Sequence, residues 1–164
     1  MTGMTAAPTA ANLLEQAATI ADGGRQQQSR LSRWFATVPL PPEVAAARAE
    51  AIRSARGLPI AALAKGPALG LRWFPPGVPT SVHDHGGRWG VTRVLEGRGL
   101  YETWSRSPVG SLRCSSVREV GPGDVVWFDA ATLHRQEGLD GGALELVLLE
   151  RAPEHHLGDL EGQP

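Results

Sequence analysis

A chain of 164 residues has the length of one domain, and its formal net charge of −1 at pH 7 gives no electrostatic reason to expect nucleic acid or an anionic membrane surface as a partner. The single cysteine, Cys114, excludes an intramolecular disulfide and fits a reducing compartment. No apolar run reaches the roughly 18 residues of a membrane span, and residues 1–11 lack the basic-then-apolar order of an export signal, so a cytoplasmic protein is expected.

Residues 1–9 are expected to be disordered, and residues 10–64 to form a helical segment packed on the rest. Leu13, Leu14, Ala17, Ala18 and Ala21 lie on one helical stripe, which Gly23-Gly24 ends. Leu31, Trp34, Phe35 and Val38 make a second, shorter stripe. Pro41-Pro42-Glu43 opens a third, from Val44 to about Arg53, with proline and an acid where a helix start favours them.

From residue 65 the texture turns to β. Residues 69–74, 91–95, 100–104, 125–128 and 144–149 are short apolar or alternating runs. Pro75-Pro76-Gly77, Gly97-Arg98-Gly99, Gly121-Pro122-Gly123 and Gly141-Gly142 separate them as turns. Short, closely spaced strands of this kind build a sandwich or barrel, here over residues 65–153. Cys114 is read into a hairpin loop, with no role. Residues 154–164, with His155-His156, form a polar, loosely held tail.

The chemistry concentrates in His83-Asp84-His85 and in His134, 49 residues after His85. Histidines at i and i+2 project from one face of a strand, and a third from a later strand can complete three sides of a metal. Neutral imidazoles suit iron, zinc, copper or nickel, so spacing alone names no metal. Asp84 faces away from its neighbours and supports the turn.

Two longer patterns surround these histidines: Gly77-x5-His83-x-His85, and Pro122-Gly123-Asp124 leading to His134. They resemble the two motifs of the cupin superfamily. More narrowly, His83-Asp84-His85, Leu95-Glu96-Gly97 and Leu133-His134-Arg135 resemble the cysteine dioxygenase, or thiol dioxygenase, branch. The likeness covers residues 69–153 and extends loosely to the N-terminal helices. It implies an all-β core, a cupin double-stranded β-helix barrel of jelly-roll type, with N-terminal α-helices. It also implies one Fe(II) held by His83, His85 and His134, with O2 added to a small thiol to give a sulfinate. Ordinary cupins supply a glutamate ligand four or five residues after the histidine pair; Trp89 and Gly90 stand there, which favours three histidines.

The departures bear on substrate. The cysteine and tyrosine that cross-link in animal cysteine dioxygenases correspond to Gly90 and Leu149. The family's Ser-x-His-x-Tyr on the last strand is replaced by Glu145-x-Val147-x-Leu149. The family's substrate arginine is matched only loosely, at Arg56. Arg72 is the alternative: it shares a strand face with Phe74, opposite Leu69, Leu71 and Trp73. The resemblance turns Phe74 inward, and Arg72 with it. An inward arginine needs an anionic partner, and its planar fork suits a carboxylate. Arg72, Arg56, Phe74 and Trp89 are therefore the candidate substrate-binding residues, whereas Arg88 and Arg93 are assigned to the surface or the mouth. Tyr101 is read as a hydrogen-bonded barrel residue.

The expected function is an Fe(II)-dependent thiol dioxygenase acting on a small thiol with an acid group, with no catalytic residue beyond the metal centre. The expected partners are that thiol and O2, with no nucleic acid or membrane; the chain is a monomer or homodimer. Zinc, nickel and manganese stay open as metals. The rival readings are a non-oxidative cupin isomerase or lyase using Zn or Ni, and a ligand-binding cupin sensor.

Overall fold

The computed structural model describes residues 7–22, 26–55 and 57–150. Three helices, α1 (Ala10–Ala21), α2 (Gln27–Thr37) and α3 (Pro42–Ser54), precede six strands. The strands are β1 (Gly57–Ala62), β2 (Ala68–Phe74), β3 (Gly90–Arg106), β4 (Leu112–Val120), β5 (Val125–Phe128) and β6 (Leu133–Leu149). They form one antiparallel sheet in the order β1-β2-β6-β3-β4, with β5 on the first residues of β3. The expected all-β core preceded by N-terminal helices is what the structure shows. Among the described residues, no helix is long and apolar enough to cross a membrane.

Alternation along the strands divides the sheet into two faces. Leu69 and Leu71 of β2, Val91 of β3 and Leu144, Leu146 and Leu148 of β6 join one buried cluster with Leu13, Leu14, Leu31 and Phe35 of the helices. The helices thus cover the outer face and leave the other for the barrel interior. There Val94, Tyr101, Val120 and Val126 form one cluster and Phe128, Val147 and Leu149 another. Arg48 of α3 forks onto Glu96 of β3 and ties the helical layer to the sheet.

The sheet rolls up on itself. Phe128 pairs with Gly90 near the start of β3, and His134 pairs with Thr103 near its end. Thirteen residues of straight strand from Gly90 to Thr103 would span about 43 Å at about 3.3 Å each, yet the Phe128 and His134 rings lie 4.8 Å apart. The bend sits at Gly97 and Gly142, whose φ values of +73° and +81° belong to the left-handed region. A Cβ on Gly97 would also lie 2.0 Å from the Gly142 carbonyl oxygen.

These glycines correct the strand boundaries read from sequence. Residues 91–95 and 100–104 belong to one strand bent at Gly97, and residues 144–149 are the second half of a strand that starts at Leu133. Two strands were not expected. β1 lies inside the segment assigned to helices; it carries Pro59, which sheets tolerate at an edge, and β1 is an edge. β4 is exposed along almost its whole length, so no burial pattern marked it, and Cys114 lies in this strand, not in a loop. At the other end Thr9, placed in the disordered N-terminus, caps α1 by accepting from the Asn12 amide at 3.3 Å. Residues 1–6, the Gly23-Gly24 pair, Arg56 and the tail with His155 and His156 lie outside the described residues.

Gly90 shows why one position must stay small. It pairs with both Phe128 and Leu149, on either side of it in the sheet. A Cβ there would meet Phe128 Cζ at 2.2 Å and Leu149 Cδ2 at 2.7 Å. Gly90→Ala should destabilise the fold by about 1–3 kcal/mol, the usual cost of overpacking, and thermal unfolding by circular dichroism will read it as a lower Tm. An unchanged Tm would mean that Phe128 has room to move.

Candidate metal centre

Three histidines converge inside the roll. His134 comes from β6 and is 1% exposed. His83 and His85 come from the irregular segment between β2 and β3, which is stitched along the first half of β6. Gly77 N donates to Gly138 O at 3.0 Å, Thr80 N to Gln136 O at 2.8 Å, and His83 and His134 exchange both backbone bonds at 3.0 and 2.9 Å. The pair was expected on a regular strand; the structure gives it a single bridge, His83 to His134, which suffices to aim both rings. Asp84 points outward and accepts from Gly86 N at 2.8 Å, holding the turn.

Two of the three ring-nitrogen separations match those around a shared cation. His134 Nε2 lies 3.2 Å from both His85 Nε2 and His83 Nε2, and the ligating atoms of all three rings fall within 4.8 Å of one another. Nitrogens about 2.0–2.1 Å from one ion stand about 3.0 Å apart at right angles and about 3.4 Å apart at tetrahedral angles. Two of the far nitrogens are engaged: His83 Nδ1 donates to Ser81 O at 2.9 Å, and His134 Nδ1 bonds the Tyr101 hydroxyl at 3.1 Å. With Nδ1 as the donor in both bonds, the Nε2 lone pairs face inward, as metal-binding histidines require. Burial, helped by the neighbouring imidazoles, pushes His134 down to about 2 and His85 to about 4. These two rings are therefore neutral at pH 7. Unprotonated nitrogens this close repel each other, and a divalent cation among them turns that repulsion into coordination. A three-histidine site able to bind a metal is present; its metal is not determined by geometry.

Neighbouring contacts make the cluster rigid. His85 stacks on Phe128 with centroids 4.4 Å apart. On the far side of the strand pair, next to His134, Arg135 forks onto Glu102 at 2.8 and 2.9 Å, and Trp104 Nε1 donates to the same carboxylate at 2.9 Å. The Arg135 guanidinium holds the Glu102 carboxyl below the usual carboxylate range. Arg88 Nε donates to His85 O at 2.8 Å and anchors the loop that follows the pair.

The other residues singled out from sequence divide. Arg72 and Phe74 share the inner face, with the guanidinium carbon 5.2 Å from the ring centroid, and the charge of Arg72 reaches His85. Trp89 is corrected: it lies on the helix side with Val91, stacked on Trp127 at 5.4 Å, so it lines no pocket beside the histidines. Arg93 is also corrected. It turns toward the helices and donates to Phe35 O and Val38 O, the carbonyl end of α2. The residues missed are Glu145 and Gln136. Glu145, 1% exposed, faces Arg72 across the β2–β6 pair and accepts from Gln136 Nε2 at 2.9 Å. Burial pushes its carboxyl up to about 7, offset in part by Gln136 and Arg72. The signal was there: a carboxylate amid the apolar residues 143–149, the half of β6 with no wet face.

No family model and no curated protein matches the chain. Among solved structures it is similar to KdgF from Halomonas sp., at a TM-score of 0.48 and 18% identity over 58% of this chain and 79% of that one. It is similar to TT1209 from Thermus thermophilus, at 0.47 and 21% over 57% and 80%. It is also similar to Bacillus subtilis oxalate decarboxylase, a protein with Mn(II) centres, at 0.45 and 18% over 56% of this chain. The chain spans about a fifth of that last protein, 22% of its length. These are likenesses in the course of the chain and assign it no activity.

Anaerobic titration with a divalent ion should load one ion per chain and raise Tm, because binding favours the folded state. Tyr101→Phe should weaken the affinity about 10–100-fold, the usual effect of losing a ligand's outer hydrogen bond. His134→Ala should lose the metal, and full metal content in that variant would overturn the site.

Proposed function

We propose that the chain is a mononuclear Fe(II)-dependent thiol dioxygenase that converts a small, acid-bearing thiol to its sulfinic acid, RSH + O2 → RSO2H. The observation that carries the reading is a centre of three histidines that, among the described residues, no carboxylate joins. Together with the motifs His83-Asp84-His85, Leu95-Glu96-Gly97 and Leu133-His134-Arg135, it matches what the thiol dioxygenase resemblance implies. Bound there, Fe(II) supplies the Lewis acidity that deprotonates a thiol and the redox chemistry that adds both oxygen atoms to sulfur.

The chain's own residues do the rest. His83, His85 and His134 fix the geometry, and Tyr101 and the Ser81 carbonyl hold two of the rings in the required tautomer. Phe128 covers His85 with an apolar ring and keeps water from that side. Arg72, on the inner face beside Phe74, binds the acid group of the substrate. No dedicated base is assigned among these residues, since the Lewis acidity that Fe(II) held by His83, His85 and His134 would supply would lower the pKa of a thiol.

One observation favours a second reading, a non-oxidative isomerase or lyase. Glu145 is a buried carboxyl whose proton affinity sits near neutrality, as a general acid or base requires. An oxygen electrode separates the two. Fe(II)-loaded protein should consume one O2 per thiol oxidised across a panel of small thiols, with both product oxygens derived from labelled O2. Absence of uptake over the whole panel, with turnover by the Zn or Ni form under nitrogen, would favour the second reading.

Arg72→Leu should raise KM for an acidic thiol at least tenfold while metal content stays unchanged, because a buried charge loses its bidentate partner. Arg72→Lys should recover only part of it, since lysine lacks the fork. An unchanged KM in the leucine variant would remove Arg72 from the substrate site.

A further inference from the structure

Alternation along the β3–β4 hairpin puts Tyr101 and Thr103 of β3 on one face with Arg118 and Ser116 of β4, their partners in the register. This is the inner face, because the Tyr101 hydroxyl reaches His134. A barrel interior is usually apolar, yet this part of it carries two hydroxyls and a guanidinium, and Ser116 and Arg118 are exposed. They border a cavity of about 380 Å³, whose other walls include Gln28 and Ser32 of α2 and Val126 and Trp127 of β5. Neighbouring residues of β5 reach the cavity because that strand pairs only with β3, which leaves its other edge open. None of the three histidines borders the cavity; Tyr101 stands between it and His134.

The walls differ in kind. Arg118 is the one charged residue among them, and no acid lines the cavity. Its recorded acid partner among the described residues, Asp124, stands at 3.8 Å, beyond hydrogen-bond reach, and both side chains are about half exposed. A pair so loose and so wet contributes little, and the planar fork of Arg118 can turn to another anion. Arg135 shows the contrast, with its guanidinium already forked onto Glu102 at 2.8 and 2.9 Å. The Thr103 and Ser116 hydroxyls lie 2.6 Å apart, so one donates to the other and a single proton is left to give. Gln28 stands in the first turn of α2, whose N-terminus has neither a side-chain cap nor an acid to answer its positive end. Opposite these donors, Val126 and Trp127 offer an aliphatic and an aromatic surface.

We propose that this cavity is a second ligand site, separate from the metal centre, which binds a small organic acid with a flat apolar body. The carboxylate sits on Arg118, within reach of the hydroxyl pair, and the body lies against Val126 and Trp127. The volume is in the range of ordinary small-molecule sites. A ligand there touches Tyr101, the side chain that holds His134. The site requires neither a bound ion nor the dioxygenase reaction.

Calorimetry at pH 7 on the chain without added metal tests it with three probes. Benzoate carries both the charge and the flat body, acetate lacks the body, and benzyl alcohol lacks the charge. The parent should bind benzoate at least tenfold more tightly than either. Arg118→Gln, at a half-exposed position, should lose at least tenfold in benzoate affinity and leave benzyl alcohol unchanged. Ser32→Trp fills the cavity from the α2 side, without touching the hairpin, and should abolish benzoate binding. Circular dichroism confirms the fold of each variant, and Arg118→Gln decides the matter if Ser32→Trp fails to fold.

Absence of benzoate binding by the parent would overturn the proposal, as would an unchanged benzoate affinity in folded Arg118→Gln protein. Binding that appears only after Zn(II) is added and survives Arg118→Gln would overturn it too, since such a ligand sits on the metal. The dioxygenase reading fails or stands separately, on oxygen uptake.

Discussion

The centre depends on one mechanical constraint, the return of β3 upon itself. Residues paired with opposite ends of that strand, Phe128 and His134, touch face to edge only because the strand bends at Gly97 while β6 bends beside it at Gly142. The bend is forced locally: the glycines approach so closely that a methyl on either would strike backbone or Trp73. Its reward is at long range. It aligns the first half of β6 with the segment that bears His83 and His85, so that backbone hydrogen bonds tie that segment to β6 directly beside the ligands. A ligand set on an irregular segment would be entropically costly without such stitching.

The two faces of the sheet have divided labour. The outer face is apolar and covered by α1, α2 and α3, which anchors β2, β3 and β6 by ordinary burial. That anchoring allows the inner face to hold groups that no core tolerates unpartnered: a 1%-exposed histidine, a 1%-exposed glutamate and a guanidinium. Each has an answer within reach. His134 has Tyr101, Glu145 has Gln136 and Arg72, and the imidazoles have one another, an arrangement that a cation relieves.

The parts legible in the sequence were those with a period. The helical stripes appeared where they were read, and alternation in residues 69–74 correctly set Leu69 and Leu71 against the helices and Arg72 and Phe74 inside. The parts that were not legible have physical reasons. Glycine pairs resemble turns whether a strand ends or merely bends, so β3 was divided and the first half of β6 was lost. β4 is wet on both faces and carries no apolar alternation. Trp89 sits next in sequence to the ligand loop but follows the pleat of β3 into the helix-side core, so proximity in sequence misled where alternation with Val91 would not have. The histidine trio was legible because its residue types have few other uses at that spacing, and the structure brings the three rings together, whereas Glu145 was read only as a residue lost from a pattern.

Val147 and Leu149 are apolar, and with Phe128 they fill the space beside Gly90, where a larger side chain cannot fit. The polar groups of the inner face lie elsewhere, from Gln136 through Glu145 to Arg72, along neighbouring strands and away from the apolar plug. The inner face therefore sets an apolar surface against a polar one, and it holds a buried carboxyl only where an amide bonds it and a guanidinium stands opposite in the register.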